Sequence, residues 1–75
     1  MELEDFVVEF ADQFDETDPS EIDAETAFHD LDEWSSLIAL SVMNMVDKKW
    51  GKQLNFKEMK AMATVRQLFE YIQSK

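Results

Sequence analysis

Two adjacent serines, Ser35 and Ser36, followed by Leu37, are the residues of this chain most open to chemistry. A serine at the entrance to a helix serves first as an N-cap, because its oxygen accepts a hydrogen bond from an unpaired backbone N–H. The same position also presents a hydroxyl that another enzyme can modify. A phosphate added there meets free N–H groups and the positive end of the helix dipole. Little else in the chain can attack or relay protons. There is no cysteine, hence no disulfide, no thiolate metal site and no catalytic thiol. The single histidine, His29, cannot build a His-based metal cluster or a hydrolytic triad, and a local structural role or none is expected of it. The Asp/Glu run lacks the Gly and terminal Glu of a calcium loop, since the only glycine is Gly51. With no paired nucleophile and base in view, the chain reads as neither an enzyme nor a metalloprotein.

The elements that must position the serines are helical. One Gly and one Pro leave few tight turns for hairpins. Leu3, Phe6, Val7, Phe10 and Phe14 recur at helical spacing and predict a first helix with one apolar stripe. From Asp15 to Ser35 there is no sustained period. Within that stretch Asp18-Pro19-Ser20-Glu21 predicts a single helical turn with Asp18 as N-cap, and Ile22, Phe28 and Leu31 are apolar pins. So long a connection in a small domain is often functional.

A second helix is predicted from Ser35 or Ser36, with Leu37, Leu40, Met43 and Val46 facing inward and Trp50 continuing the seam. Lys48 and Lys49 fall in its last turn, and Gly51 is placed for the left-handed conformation beyond the cap. Asn55 with Glu58 starts a short third helix containing Met59 and Met62. Thr64 with Gln67 makes a capping-box pattern for a fourth, whose inner face is Val65, Leu68, Phe69 and Ile72. The expected fold is all-α: one domain over residues 1–75, a small bundle of three main helices, one short helix and a long first loop.

Charge divides the chain. The net charge is −10, and residues 1–33 hold 14 of the 17 acidic residues and no Lys or Arg. Residues 34–75 hold all 7 basic residues against Asp47, Glu58 and Glu70, a net of +4. This balance lacks the basic footprint of a nucleic-acid binder. It suits a protein steered toward basic partner surfaces, although acidic residues also simply keep a small domain in solution. The acidic amino-terminal stretch Met1-Glu2-Leu3-Glu4-Asp5 is unlike a secretory signal, and no apolar run approaches the roughly 20 residues of a membrane span. A cytoplasmic monomer is expected.

Around the serine pair, and over nearly its whole length, the chain resembles the acyl carrier protein family. That family has Asp-Ser-Leu at the start of its second helix, where this chain has Ser35-Ser36-Leu37. Downstream, Leu37 to Val46, Trp50, Leu54, Met62, Thr64-Val65, Phe69, Tyr71 and Ile72 follow the family pattern without a gap. Upstream, Ile22, Phe28 and Leu31 match the pins of its first loop. The resemblance implies that Ser36 bears 4'-phosphopantetheine, received from coenzyme A through a separate phosphopantetheinyl transferase. Ser35 is the alternative site. The arm's thiol would carry acyl groups as thioesters to partner enzymes of fatty acid, polyketide or related biosynthesis, and tethering would raise their effective concentration at a docked enzyme.

Two features depart from the family. Its usual aspartate before the modified serine is Ser35 here. Its acidic second helix is here interrupted by the outward Ser41 and Asn44, and Asp47 is followed by two lysines. These departures imply a specialised carrier with its own partners, reached through basic docking surfaces. A reading of another class is an unmodified acidic helical module that binds a basic protein surface. Trp34 is expected to act as a hydrophobic staple before the cap. Met43, Met59 and Met62 are expected in the core, with an expandable acyl channel as their functional alternative.

Overall fold

The structure is a computed structural model that describes residues 2–75; Met1, the first residue of the acidic amino-terminal stretch, lies outside them. Four α-helices follow in order: α1 Leu3–Ala11, α2 Ser36–Trp50, α3 Phe56–Ala61 and α4 Val65–Gln73. Two 3₁₀ turns, Pro19–Glu21 and Phe28–Asp30, interrupt the connection from α1 to α2. No strand occurs among the described residues. The second 3₁₀ turn carries no Pro or capping residue that would mark it in the sequence.

Aromatic side chains fill the centre. Phe6, Phe10 and Phe28 are fully buried together with Met59, Leu68, Ile72 and three valines. Phe6 reaches Trp50 and Phe69, both at 5.7 Å between centroids, which ties α1 to the end of α2 and to α4. Phe10 meets Phe14 and Phe28 at 5.6 and 5.5 Å. The stripe expected on α1 is therefore buried through Phe6, Phe10 and Phe14, while Leu3 and Val7 pack at its margin.

The inner face of α2 differs from the expected one. Ile38, Ala39, Val42, Met43, Met45 and Val46 are buried, while Leu37 and Leu40 are 77% and 45% exposed. The reason is geometric. Each residue turns the helix by about 100°, so a step of three falls short of a full circle and three such steps reach the opposite side. Leu37 and Val46 cannot share a face.

The helix ends follow local chemistry. Gly51 closes α2 at φ 65° and donates its N–H to Asp47 at 2.9 Å. Asn55 and Glu58 form a reciprocal capping box on α3, with bonds of 2.8 and 3.0 Å. Met62 is the C-cap of α3 and lies outside the helix. Thr64 caps α4 by accepting the N–H of Gln67 at 3.2 Å. The Gln67 amide oxygen, however, accepts from Ala63 at 2.8 Å and not from Thr64, so the box expected there is widened by one residue.

Three anchors hold the long connection. Glu33 accepts the backbone N–H groups of Asp15, Glu16 and Thr17 and the Thr17 hydroxyl, at 2.7 to 3.0 Å. Near its middle, the carbonyls of Thr26 and Ala24 accept the N–H groups of Val65 and Arg66 at 3.2 and 2.8 Å, which satisfies two donors in the first turn of α4. At the second 3₁₀ turn, His29 Nε2 lies 3.0 Å from the carbonyl oxygens of both Met59 and Met62. Both partners only accept, so this nitrogen carries the proton and donates. His29 thus makes a long-range link to α3 and the residue that ends it, where a local role or none was expected.

Candidate functional site

Ser35 and Ser36 are given different tasks by one residue of helix. Ser35 is extended, at φ −156° and ψ 173°, and its Oγ accepts the N–H of Ile38 at 3.3 Å. Its carbonyl accepts the N–H of Ala39 at 2.9 Å, which opens the helix. Ser35 is the N-cap. Ser36 is the first residue of α2, exposed, and its hydroxyl makes no hydrogen bond among the described residues. The N–H groups of Ser36 and Leu37 also lack a backbone partner, as the first donors of a helix must unless something outside supplies one. An exposed hydroxyl therefore stands at the positive end of a 15-residue helix.

Beside it lies a small, half-open cleft of about 210 Å³ between the connection, the start of α2 and α3. Its walls include Trp34, Ala39, Phe56 and Met59, with His29 and Lys60 as its polar members besides the serines. Trp34 is positioned from behind. Its ring stacks on Phe10 at 6.2 Å and 12°, and meets Phe28 edge-on at 4.8 Å. It also lies 6.3 Å from Phe14 and 5.5 Å from His29. These partners sit on α1, just beyond it and on the connection, so Trp34, partly buried, packs against the core from outside α2 as well as bordering Ala39 in the cleft.

A second cleft continues past Phe56 along Leu40, Met43, Asn44 and Leu54. Larger grooves lie elsewhere: one between α1 and α2 near Glu9, Asp12 and Lys49, and one in the connection among Glu16, Glu21, Asp30 and Asp32. Neither includes Ser35 or Ser36. Among the described residues, no group of His, Cys, Asp and Glu is arranged to hold a metal ion.

The carboxylates divide into structural and surface groups. Loss of hydration works against ionising Glu33, but the bonds from Asp15, Thr17 and Glu16 outweigh it and hold its carboxyl below the ordinary range. On α3, Glu58 accepts the Tyr71 hydroxyl and pairs with Lys75 at 3.1 Å. Those bonds lower its carboxyl, Tyr71 foremost, and the same contact raises the Tyr71 phenol. Asp18 is lowered by the N–H of Ser20, which it accepts at 2.9 Å.

Of the residues singled out in the sequence, Ser35, Ser36 and Trp34 are brought together at the cleft, and Met59 joins them from the core. Met43 is buried and borders the second cleft, and Met62 packs at the core margin. Phe56, Lys60 and His29 were not legible as site residues. The Asn55/Glu58 box locates α3, but a helix of six residues is too short for its periodicity to say which side meets α2.

No protein-family model, no curated protein and no solved structure matches this chain. Among the described residues, no helix is long and apolar enough to cross a membrane.

Proposed function

We propose that this chain is an acyl carrier protein that bears 4'-phosphopantetheine on Ser36. The observation that carries the reading is the division of labour between the serines. Ser35 takes the capping bond, so the Ser36 hydroxyl is free and exposed at the head of α2. A modified Ser36 would cost the helix no cap. The residues present fit the group: the unpartnered N–H groups of Ser36 and Leu37 suit a phosphodiester, and the adjoining cleft offers Trp34, Phe56 and Met59 to the methyl and methylene groups of the arm and His29 and Lys60 to its polar ones. The chemistry supplied by the group when bound is a terminal thiol that carries acyl units as thioesters.

The chain's own residues hold and present. The capped α2 fixes the serine's direction, and the Glu33 and His29 anchors hold the connection on one side of it and α3 on the other. A transferase acting on coenzyme A installs the arm, and partner enzymes perform every later step. Ser35 in place of an aspartate removes a carboxylate from beside the hydroxyl, which suits a dedicated transferase. The total charge suits partners with basic surfaces, and these would meet α1 and the connection, where the acids are concentrated.

The test is the intact mass after incubation with coenzyme A and a broad-specificity phosphopantetheinyl transferase, for wild type, Ser35→Ala and Ser36→Ala. The expected result is one added phosphopantetheine that Ser36→Ala alone abolishes. Loss only in Ser35→Ala would move the site by one residue. No added mass in any sample, even with the transferase from its own source, would favour the unmodified acidic module.

A further inference from the structure

We propose that the face of α2 and α3 around Ser36 docks a partner whose apolar side chains are flanked by carboxylates, opposite in sign to the basic surface that the net charge invites. Leu37, Leu40 and Phe56 are 77%, 45% and 47% exposed, large apolar side chains that water should not be left to cover. Leu37 and Leu40 are one turn apart on the same side of α2. Phe56 borders both the cleft beside Ser36 and the cleft beside Leu40, which joins the three into one strip. Val8, also exposed, stands apart on α1 among acids.

Most of the charge along this strip comes from α3, with Asp47 of α2 at its far end. Lys57 and Lys60 are exposed and make no ion pair or hydrogen bond among the described residues, whereas Lys49, Arg66 and Lys75 are each paired. Lys60 lies one turn after Phe56 and borders the Ser36 cleft. Asp47, exposed and unpaired among the described residues, borders the Leu40 end of the strip and is outnumbered by the two free lysines, while the other nearby carboxylates are occupied or directed elsewhere. Glu58 is held by Asn55, Tyr71 and Lys75, while Asp30 and Asp32 line the separate acidic groove with Glu16 and Glu21. From Ser36 to Val46, α2 carries no charge at all. At physiological salt the field of the distant acids falls off within about 8 Å, so the groups at the contact decide the sign. A second copy of the chain is a poorer occupant, since it offers only Val8 among acids and two chains of net charge −10 repel.

This inference adds the sign of the partner to the carrier reading and rests on that reading for its purpose, but the contact itself needs no modified serine. It is tested on unmodified, ¹⁵N-labelled protein at physiological salt with two amphipathic helical peptides. The peptides share one leucine stripe, edged by Glu in one and by Lys in the other. The Glu-edged peptide is expected to shift the amides of Leu37, Leu40 and Phe56, and the Lys-edged peptide those of α1 and the connection. Leu40→Ser, at an already exposed position, should remove the first set of shifts. Reversing both lysines (Lys57→Glu with Lys60→Glu) should weaken the Glu-edged peptide about tenfold.

The proposal is overturned if the Glu-edged peptide leaves these amides unmoved, if the Lys-edged peptide takes this face equally well, or if charge reversal changes nothing. It is also overturned if the same amides shift when the protein alone is concentrated, which would make the occupant a second copy. Failure here leaves phosphopantetheinylation of Ser36 standing, and absence of the added mass leaves this contact standing.

Discussion

Glu33 and Thr17, sixteen residues apart, are joined twice: one carboxylate oxygen of Glu33 accepts both the N–H and the hydroxyl of Thr17, each at 2.8 Å. With Asp15 and Glu16 on the same carboxylate, the first turn of the connection folds around an anion three residues ahead of the modifiable serine. The Thr17 N–H is half-buried and costly to leave without its acceptor, and the exposed N–H groups of Asp15 and Glu16 would lose theirs at the same time.

Glu33→Ala should therefore lower the thermal midpoint, and it should speed amide exchange at residues 15–17 more than in the helices. Glu33→Gln retains one acceptor oxygen and should fall between. The check is a melting curve combined with hydrogen exchange. A melt unchanged in both variants would mean that these N–H groups are served equally well by water.

The contact of Glu58 with Tyr71 and Lys75 closes α3 onto the end of α4 and should give stability a pH window. The Glu58 carboxyl is lowered in the fold, so the unfolded chain takes up the proton first as pH falls. Its contribution is complete above about pH 4.3 and is lost as pH drops through the folded value. The Tyr71 phenol is raised, so its contribution is complete below about pH 10 and is lost as pH climbs through the folded value. Glu58→Gln should thus melt below wild type at neutral pH and converge with it in acid. Tyr71→Phe should do the same at the alkaline end. Parallel pH profiles for wild type and Glu58→Gln would show that the carboxylate carries no linkage.

How far these features could be read in advance depended on their range along the chain. Caps at Asp18, Asn55 and Thr64, the turn at Gly51 and the inner face of α4 are written within four residues of themselves, and each formed as local rules require. On α2 the sequence offered apolar residues nearly all round, so spacing by three seemed a face when it was a spiral. Leu37 and Leu40 came out exposed as a result. The bonds of Glu33 to residues 15–17 and of His29 to Met59 have no local signature, because a glutamate or histidine that anchors a loop looks like any surface residue. The serine pair was visible. The cleft beside it, which takes Phe56 and Lys60 from α3, depends on tertiary packing that no short window contains.

Among the described residues Gly51 is the one with positive φ, at 65°, and a Cβ there would meet nothing within 4 Å. Space is free, so only the backbone conformation is strained by a side chain. Gly51→Ala should cost about 1 kcal/mol, the ordinary penalty for an alanine in the left-handed region. Gly51→Asn should cost less, since its short polar side chain tolerates that region. Chemical denaturation of the two variants checks the order. An alanine variant as stable as wild type would mean that the end of α2 shifts to another closure.

The two serines should separate cleanly in stability even before any modification is attempted. Ser35→Ala removes the oxygen that accepts the Ile38 N–H and should cost about 1 kcal/mol of folding stability. Ser36→Ala removes a hydroxyl with no partner and places a strong helix former at the first helical position, so its effect should lie within about 0.5 kcal/mol of zero. Ser35→Asp should hold the cap and add a negative charge at the helix N-terminus, matching or exceeding wild-type stability. The same three proteins then bear on the transferase. If it needs a carboxylate before the serine, Ser35→Asp should be modified faster than wild type by a broad-specificity enzyme, while its melting curve stays at or above that of wild type. Faster modification with unchanged stability would place the effect in recognition of the hydroxyl's neighbour. Equal rates would show that the cap alone, supplied by either residue, is what the site requires.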